Sequence, residues 1–221
     1  MGWRVFEKEA LRYEGWYATL RGQKVDRAER ALLEWLLALF PEARSVIEIG
    51  CGTGHFTRWF AQKLPLVIGL DRAPAMLAEF RKASSEIPII VGDAHHLPVR
   101  DRSVDVSALV VTLEFLKDSP AALAEAIRIA RRGVLLITLN PWSLGGLSRR
   151  IGSQSRGAIL SQAKGFPLGS LKAMAAKAGG KRLRRILWRS TLFPNGFWRL
   201  CLPAPLGDVL GLALVLVHDN S

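Results

Sequence analysis

The chain has 221 residues, enough for one domain with room for an inserted cap; 49% of them are apolar and 23% charged. This is ordinary globular composition and excludes a mainly disordered chain. The formal net charge is +12 and uneven: through Ala121 basic and acidic residues balance at 16 each, and beyond it 15 basic residues face 3 acidic ones. A chain that coats nucleic acid along its whole length is therefore not expected, whereas one basic face is.

Residues 3 to 20 place Phe6, Ala10, Tyr13 and Tyr17 at helical spacing. Gly22 reads as a break, and Asp26 as the cap of a second helix, with Glu29 at the capping-box position. Leu32, Leu33, Leu36, Leu37 and Phe40 give that helix its apolar face, and Pro41 ends it. A short strand over 45 to 49 runs directly into Gly50-Cys51-Gly52-Thr53-Gly54. Helical spacing resumes at Phe56, Trp59, Phe60 and Leu64. Further strands are expected over 66 to 70, 87 to 91, 104 to 111 and 133 to 139. Between them lie helices starting at Pro74 and at Pro120. Continuous apolar strands alternating with helices are the pattern of a parallel sheet covered on both faces.

After Pro141 the pattern loosens, and residues 142 to 170 are expected to form a cap inserted over the acceptor site. A helix follows over 168 to 178, closed by Gly179-Gly180. Two closing strands, 184 to 192 and 209 to 217, are joined by a short Pro- and Gly-rich connection that favours antiparallel pairing. The whole reads as a single domain over 1 to 221. Its first 40 residues are two helices that include a lid.

Two cysteines, Cys51 and Cys201, do not make a disulfide scaffold and suit a reducing, cytoplasmic setting. The first twelve residues mix charge with apolar residues, unlike a cleaved signal peptide. The clean apolar run over 209 to 217 falls well short of the ~20 residues of a spanning helix.

Chemistry concentrates in VIEIGCGTG, residues 46 to 54. A glycine turn straight after a strand lets backbone approach a ligand closely. Asp71 ends the next strand, where a carboxylate can accept from both hydroxyls of a ribose. The spacing G-x-G-x-G departs from the dinucleotide fingerprint G-x-G-x-x-G. Glu48, two residues before the first glycine, would repel a pyrophosphate. It suits a phosphate-free ligand with a positive portion, such as S-adenosylmethionine. A dinucleotide site and a turn without a ligand remain the alternatives on these residues alone.

VIEIGCGTG, GLDRAPAML, GDAHHLPVRDRSVDVS and RRGVLLITLN occur in the order and spacing of one family. Over residues 40 to 140 the chain resembles class I S-adenosylmethionine-dependent methyltransferases of the UbiE-like, or type 11, group. That resemblance implies a Rossmann-like α/β fold: seven mostly parallel strands in the order 3-2-1-4-5-7-6, an antiparallel last strand, and helices on both faces. It implies S-adenosylmethionine as cofactor, S-adenosylhomocysteine as product, and direct displacement at the methyl carbon.

Carried over by position, Glu48, Gly50, Gly52 and Gly54 would surround the methionine portion, with Cys51 a small packing residue. Asp71 would hold the ribose, with Arg72 and Met76 near the adenosine. Asp93 and Ala94 would meet the adenine, with His95 beside the cofactor. Thr112 would face the methionine end, and Tyr13 and Tyr17, in RYEGWY, would cover the cofactor. Glu114 is the candidate general base, and Asn140 and Trp142 are candidate acceptor contacts. No metal is expected.

The acceptor expected is a small molecule. The basic residues from Arg149 to Arg189 would attract it if it is anionic. RNA is a weaker alternative, as is a module that binds cofactor without turnover. A monomer or a homodimer fits, the latter through an apolar patch over 193 to 206.

Overall fold

The computed structural model describes residues 4–143, 163–193 and 200–217. Its centre is one seven-stranded sheet in the order β3-β2-β1-β4-β5-β7-β6. The strands are β1 (Ser45–Ile49), β2 (Leu66–Asp71), β3 (Ile89–Val91), β4 (Val104–Val110), β5 (Ala130–Leu139), β6 (Leu183–Thr191) and β7 (Val209–Leu216). The first five pair in parallel, whereas β7 runs antiparallel to both β5 and β6. The return from β6 to β7, residues 192–208, is longer than the short connection expected, but its described residues hold no helix of the kind that carries a parallel crossover.

The helices are α1 (Arg4–Ala18), α2 (Leu20–Leu37), α3 (His55–Ala61), α4 (Pro74–Ala83), α5 (Ser119–Ile129) and α6 (Leu168–Gly179). Side-chain alternation along the strands divides the core into two layers. Val106, Ala108, Leu135 and Ile137 pack under Leu32, Leu33, Leu36 and Phe60 of α2 and α3. Leu109, Val134, Leu136 and Leu212 pack under Leu123, Ile127, Leu171 and Ala175 of α5 and α6. Because both faces are covered, β1 and β4 are buried at every position.

The expected start of α2 is corrected. The helix begins at Leu20, capped by Thr19, whose Oγ1 accepts from Gly22 N at 3.0 Å. Asp26 lies inside it and pairs with Arg30 at 2.7 Å. Gly22 is buried within the helix because a Cβ there would collide with the Trp16 carbonyl at the end of α1. Its absent side chain marks a close helix–helix contact where the sequence suggests a break. Pro74 sits in the first turn of α4, and Asp118 caps α5 by accepting from Ala121 N at 3.0 Å.

Most of the expected cap, 144 to 162, lies outside the described residues. So do Arg149, Arg150 and Arg156, and residues 194 to 199 of the apolar patch. Leu200, Leu202 and Leu206 of that patch are exposed. Among the described residues, no helix is long and apolar enough to cross a membrane.

Candidate functional site

A cavity of about 510 Å³ opens at the carboxyl ends of β1, β2, β3 and β4, where open α/β sheets hold ligands. The glycine turn forms its floor. Gly50 (φ +75°) and Gly52 (φ +55°) both sit in the left-handed region that favours glycine. A Cβ on Gly50 would collide with the Thr112 side chain. Thr112 itself is pinned by its hydroxyl, whose one proton is shared between Ile49 O at 3.1 Å and Val110 O at 3.2 Å. A Cβ on Gly52 would find only Met76 Sδ, at 3.9 Å, so the bare backbone faces open cavity.

Two carboxyl groups bracket this turn. Glu48 is 2% exposed, and Thr57 donates to its Oε2 at 2.5 Å. Burial pushes Glu48 up to about 8, against the opposing pull of Thr57 and His55. Asp71 accepts from Gly52 N and Ala73 N, each at 2.8 Å. Burial raises it too, and those backbone donors oppose the rise. Each Asp71 oxygen keeps a further lone pair for a ligand donor.

Farther along, Asp93 accepts from Arg72 at 2.8 Å and pairs with His95 Nδ1 at 2.6 Å. Burial alone would raise Asp93, but His95 and Arg72 outweigh it and hold the carboxyl low. Met76 and Ala94 are buried in the wall. From the other side α1 leans over the opening and brings Tyr13 and Tyr17 to the lining. Burial pushes the Tyr13 phenol up to about 12. Helix α1 is held across the cavity: Phe6 meets Phe115 edge-on at 5.0 Å, and Glu7 accepts from Ala75 N at 3.3 Å.

Tyr13, Tyr17, Glu48, Gly50, Cys51, Gly52, Asp71, Arg72, Met76, Asp93, Ala94, His95 and Thr112 therefore all line one cavity. Gly54 does not; it packs against the Phe80 ring. Cys51 is buried, its thiol raised by burial, and it touches the space over Gly69 as a packing residue does.

Glu114 and Asn140 also lie outside the lining. Glu114 Oε1 accepts from Leu139 N at 2.6 Å, which uses the carboxylate to close the end of β5. Asn140 donates to Pro205 O and Gly207 O, each at 2.9 Å, and ties the 200–208 loop to β5. Trp142 is 72% exposed and does not line the cavity. Of the described basic residues between Arg149 and Arg189, Lys172 and Lys177 lie on α6 and Arg184, Arg185 and Arg189 on β6, with Lys164 before α6 and Lys181 and Arg182 between the two elements, and none lines the cavity. Lys172 covers the Trp188 ring at 4.9 Å, and Arg189 the Trp35 ring at 4.4 Å.

Sequence reasoning missed Phe6, His55, Phe115 and Lys117, which also line the cavity. It missed Val111 too, a β-branched lining residue at φ +50°. Such a conformation persists only where the surroundings enforce it, and here Val111 N donates to Ile137 O at 2.8 Å. Phe6 lies on α1, and for the others only their position past the ends of β1 and β4 could have signalled them.

Comparison with known proteins agrees with this geometry. The family model described as a methyltransferase domain matches residues 47–138. A malonyl-[acyl-carrier protein] O-methyltransferase of Pectobacterium atrosepticum is 36% identical over 125 residues, 55% of this chain and 49% of that protein. A demethylmenaquinone methyltransferase of Thermotoga maritima is 30% identical over 138 residues, 62% of this chain and 59% of that one. The chain thus spans about half the length of the curated relatives it matches. A solved Thermotoga maritima structure, described as an S-adenosylmethionine-dependent methyltransferase and possible histamine N-methyltransferase, superposes with a TM-score of 0.78. It is 25% identical, and the match covers 96% of this chain and 98% of that one. With the motif order, the strand order and the cavity, these likenesses show that the chain carries a methyltransferase domain over residues 47–138 with the fold of the class I S-adenosylmethionine-dependent enzymes.

Proposed function

We propose that the chain transfers the methyl group of S-adenosylmethionine to a small acidic molecule. The observation that carries this reading is the pair of carboxyls on the glycine turn. Glu48 is buried beside the turn, where a ligand cation would further stabilise its ionised form, and Asp71 is set at a strand end for hydroxyl groups. A ligand with a sulfonium, an ammonium and a ribose, but no phosphate, matches both. When bound, it supplies an electrophilic methyl carbon.

In this reading Glu48 and the Gly50–Gly52 backbone hold the amino-acid portion, and Asp71 accepts from the ribose hydroxyls. Arg72 and Met76 flank the adenosine, and Asp93 and the Ala94 backbone meet the base. Thr112 faces the methionine end. Tyr13 and Tyr17 exclude water from above. Phe115 and Lys117, past β4, border the acceptor.

The cavity volume falls in the ~300–1,000 Å³ range of small-molecule sites, which supports a small acceptor over a polymer. A relative named for O-methylation of a malonyl group supports an oxygen acceptor. An acid already ionised near neutral pH needs no base, which suits a site where Glu114 is committed to the β5 backbone. Lys117 supplies positive charge at the rim.

Calorimetric titration with S-adenosylhomocysteine tests the cofactor assignment. Wild-type protein should bind, and Asp71→Ala protein should bind at least ~10-fold more weakly, the scale of a lost hydrogen bond to a charged group. No binding by wild type, or equal affinity in the variant, overturns the reading. Release of S-adenosylhomocysteine is then measured against small carboxylic acids, phenols and total RNA. Turnover with RNA alone would refute a small acceptor.

A further inference from the structure

We infer that the amino-end edge of the sheet, opposite the cavity, docks the chain on an anionic phospholipid surface. The stretches 42–44, 100–103, 128–132 and 177–185 lead into or open β1, β4, β5 and β6. They hold eleven basic residues against two acidic ones, Glu42 and Asp101. Because the first five strands are parallel and β6 runs with β5, all four stretches gather at one edge. Neighbouring strands lie ~4.8 Å apart, so from β1 across β4, β5 and β7 to β6 the cations span about 19 Å.

Both acids of this edge are already taken. Arg132 meets Glu42 at 2.6 Å, and Arg128 meets Asp101 at 2.5 Å. Arg182 serves the chain itself, donating to Ile127 O at 2.6 Å and Ala130 O at 2.8 Å at the end of α5. Lys177 stands in the last turn of α6, where a cation suits the helix dipole. Arg44, Arg100, Lys181, Arg184 and Arg185 have no such task. All five are exposed, and none of their side chains has an ion-pair or hydrogen-bond partner among the described residues. Crowding cations without counter-charges costs free energy, which an anionic partner recovers.

Three features make that partner a lipid surface. The cavity opens at the other ends of the strands, about 20 Å away along the seven residues of β4, so whatever binds this edge is a support and not the methyl acceptor. Exposed aliphatic side chains stand among the cations. Leu66 is 48% exposed and its N–H donates to Arg44 O at 3.2 Å; Val217 is 41% exposed and its N–H donates to Arg182 O at 2.7 Å. Aliphatic groups that enter between headgroups, flanked by Lys and Arg that meet the lipid charges, are the pairing an anionic bilayer takes. Nucleic acid would call for exposed rings on which bases stack. Among the described residues the exposed large aromatic side chain is Trp142, past the carboxyl end of β5. Docked by its amino-end edge, the protein turns the cavity toward water, where a small dissolved acceptor reaches it.

The test is sedimentation of the whole chain with vesicles of phosphatidylcholine alone or with about 30% phosphatidylserine. Wild-type protein should bind the mixed vesicles at low salt, release them as salt rises, and leave pure phosphatidylcholine unbound. Each Lys or Arg at such a surface contributes about fivefold in affinity, so Arg184→Gln with Arg185→Gln should weaken binding about 25-fold. Lys177→Gln with Lys181→Gln, outside β6, should do the same without touching the sheet. Leu66→Ser with Val217→Ser should weaken it about 10-fold with no change of charge. Arg21→Gln with Lys164→Gln removes as much charge from exposed positions near the other edge and should change binding by less than about twofold. Melting temperatures that match wild type report intact folds.

No binding to the mixed vesicles overturns the inference. An equal loss in the Arg21 and Lys164 variant also does, because net charge alone would then explain the attraction. Full binding by the Leu66 and Val217 variant overturns the lipid assignment, as does a shift of total RNA at a protein concentration that leaves the mixed vesicles unbound.

Discussion

A protonated Glu48 has a measurable consequence: ligand binding should expel a proton. With its pKa at about 8, the carboxyl is roughly 90% protonated in the free protein near pH 7. A cation placed beside it favours the ionised form, so about 0.9 proton should leave per ligand bound near pH 7. Calorimetry in phosphate and in Tris, whose ionisation enthalpies differ, reads this number as the slope of apparent enthalpy against buffer enthalpy. The slope should vanish above about pH 9, where the carboxyl is already ionised. Glu48→Gln should abolish it near neutral pH and weaken binding. No slope in the wild type, or the same slope in Glu48→Gln, would refute the reasoning.

The same shift sets a stability profile. Folding raises the Glu48 pKa from its ordinary 4.5 to about 8. Between those values the unfolded chain binds fewer protons than the folded one, so stability falls as pH rises, by up to ~1.4 kcal/mol per pH unit. The contribution is complete below the lower value and gone above the higher. A ligand ammonium beside Glu48 favours its ionised form and opposes the trend, so the rise in melting temperature given by S-adenosylhomocysteine should grow from pH 6 to pH 8.

Much of this was legible in the sequence because its signals are local. Each parallel strand is a continuous apolar run, and the glycine turn, Asp71 and Asp93 all end such runs. A sheet edge gathers whatever follows its strands, so those residues meet without any long-range information. Glu114 and Asn140 show the limit of the same logic. Both follow strand ends, yet Glu114 is committed to Leu139 N and Asn140 to the 200–208 loop. Whether a polar side chain faces the cavity or ties down backbone depends on the neighbouring strand, which local sequence does not encode. His55 was missed for the complementary reason: its partners Glu14 and Asp26 lie on two helices 41 and 29 residues upstream. Gly22 shows that an absent side chain can mark a tight helix contact as readily as a chain break.

Two further substitutions probe the scaffold beneath the site. Gly50→Ala should cost ~1–2 kcal/mol for its left-handed backbone alone, with a collision against Thr112 added. Thr112→Ser in that background removes the methyl in the way and should recover part of the melting temperature; no recovery would refute the collision. Glu29→Gln acts in the opposite direction. Glu29 is 4% exposed on α2 and outside the cavity lining, and burial, then the negative charge of Asp26, pushes it up to about 8. The amide keeps its shape and has no proton to lose. The variant should match wild type near pH 4.5 and be more stable by ~3 kcal/mol near pH 7, with S-adenosylhomocysteine affinity unchanged. Denaturant melts across that range decide the matter, because a stability difference that does not grow with pH would mean that Glu29 is not held neutral by its burial.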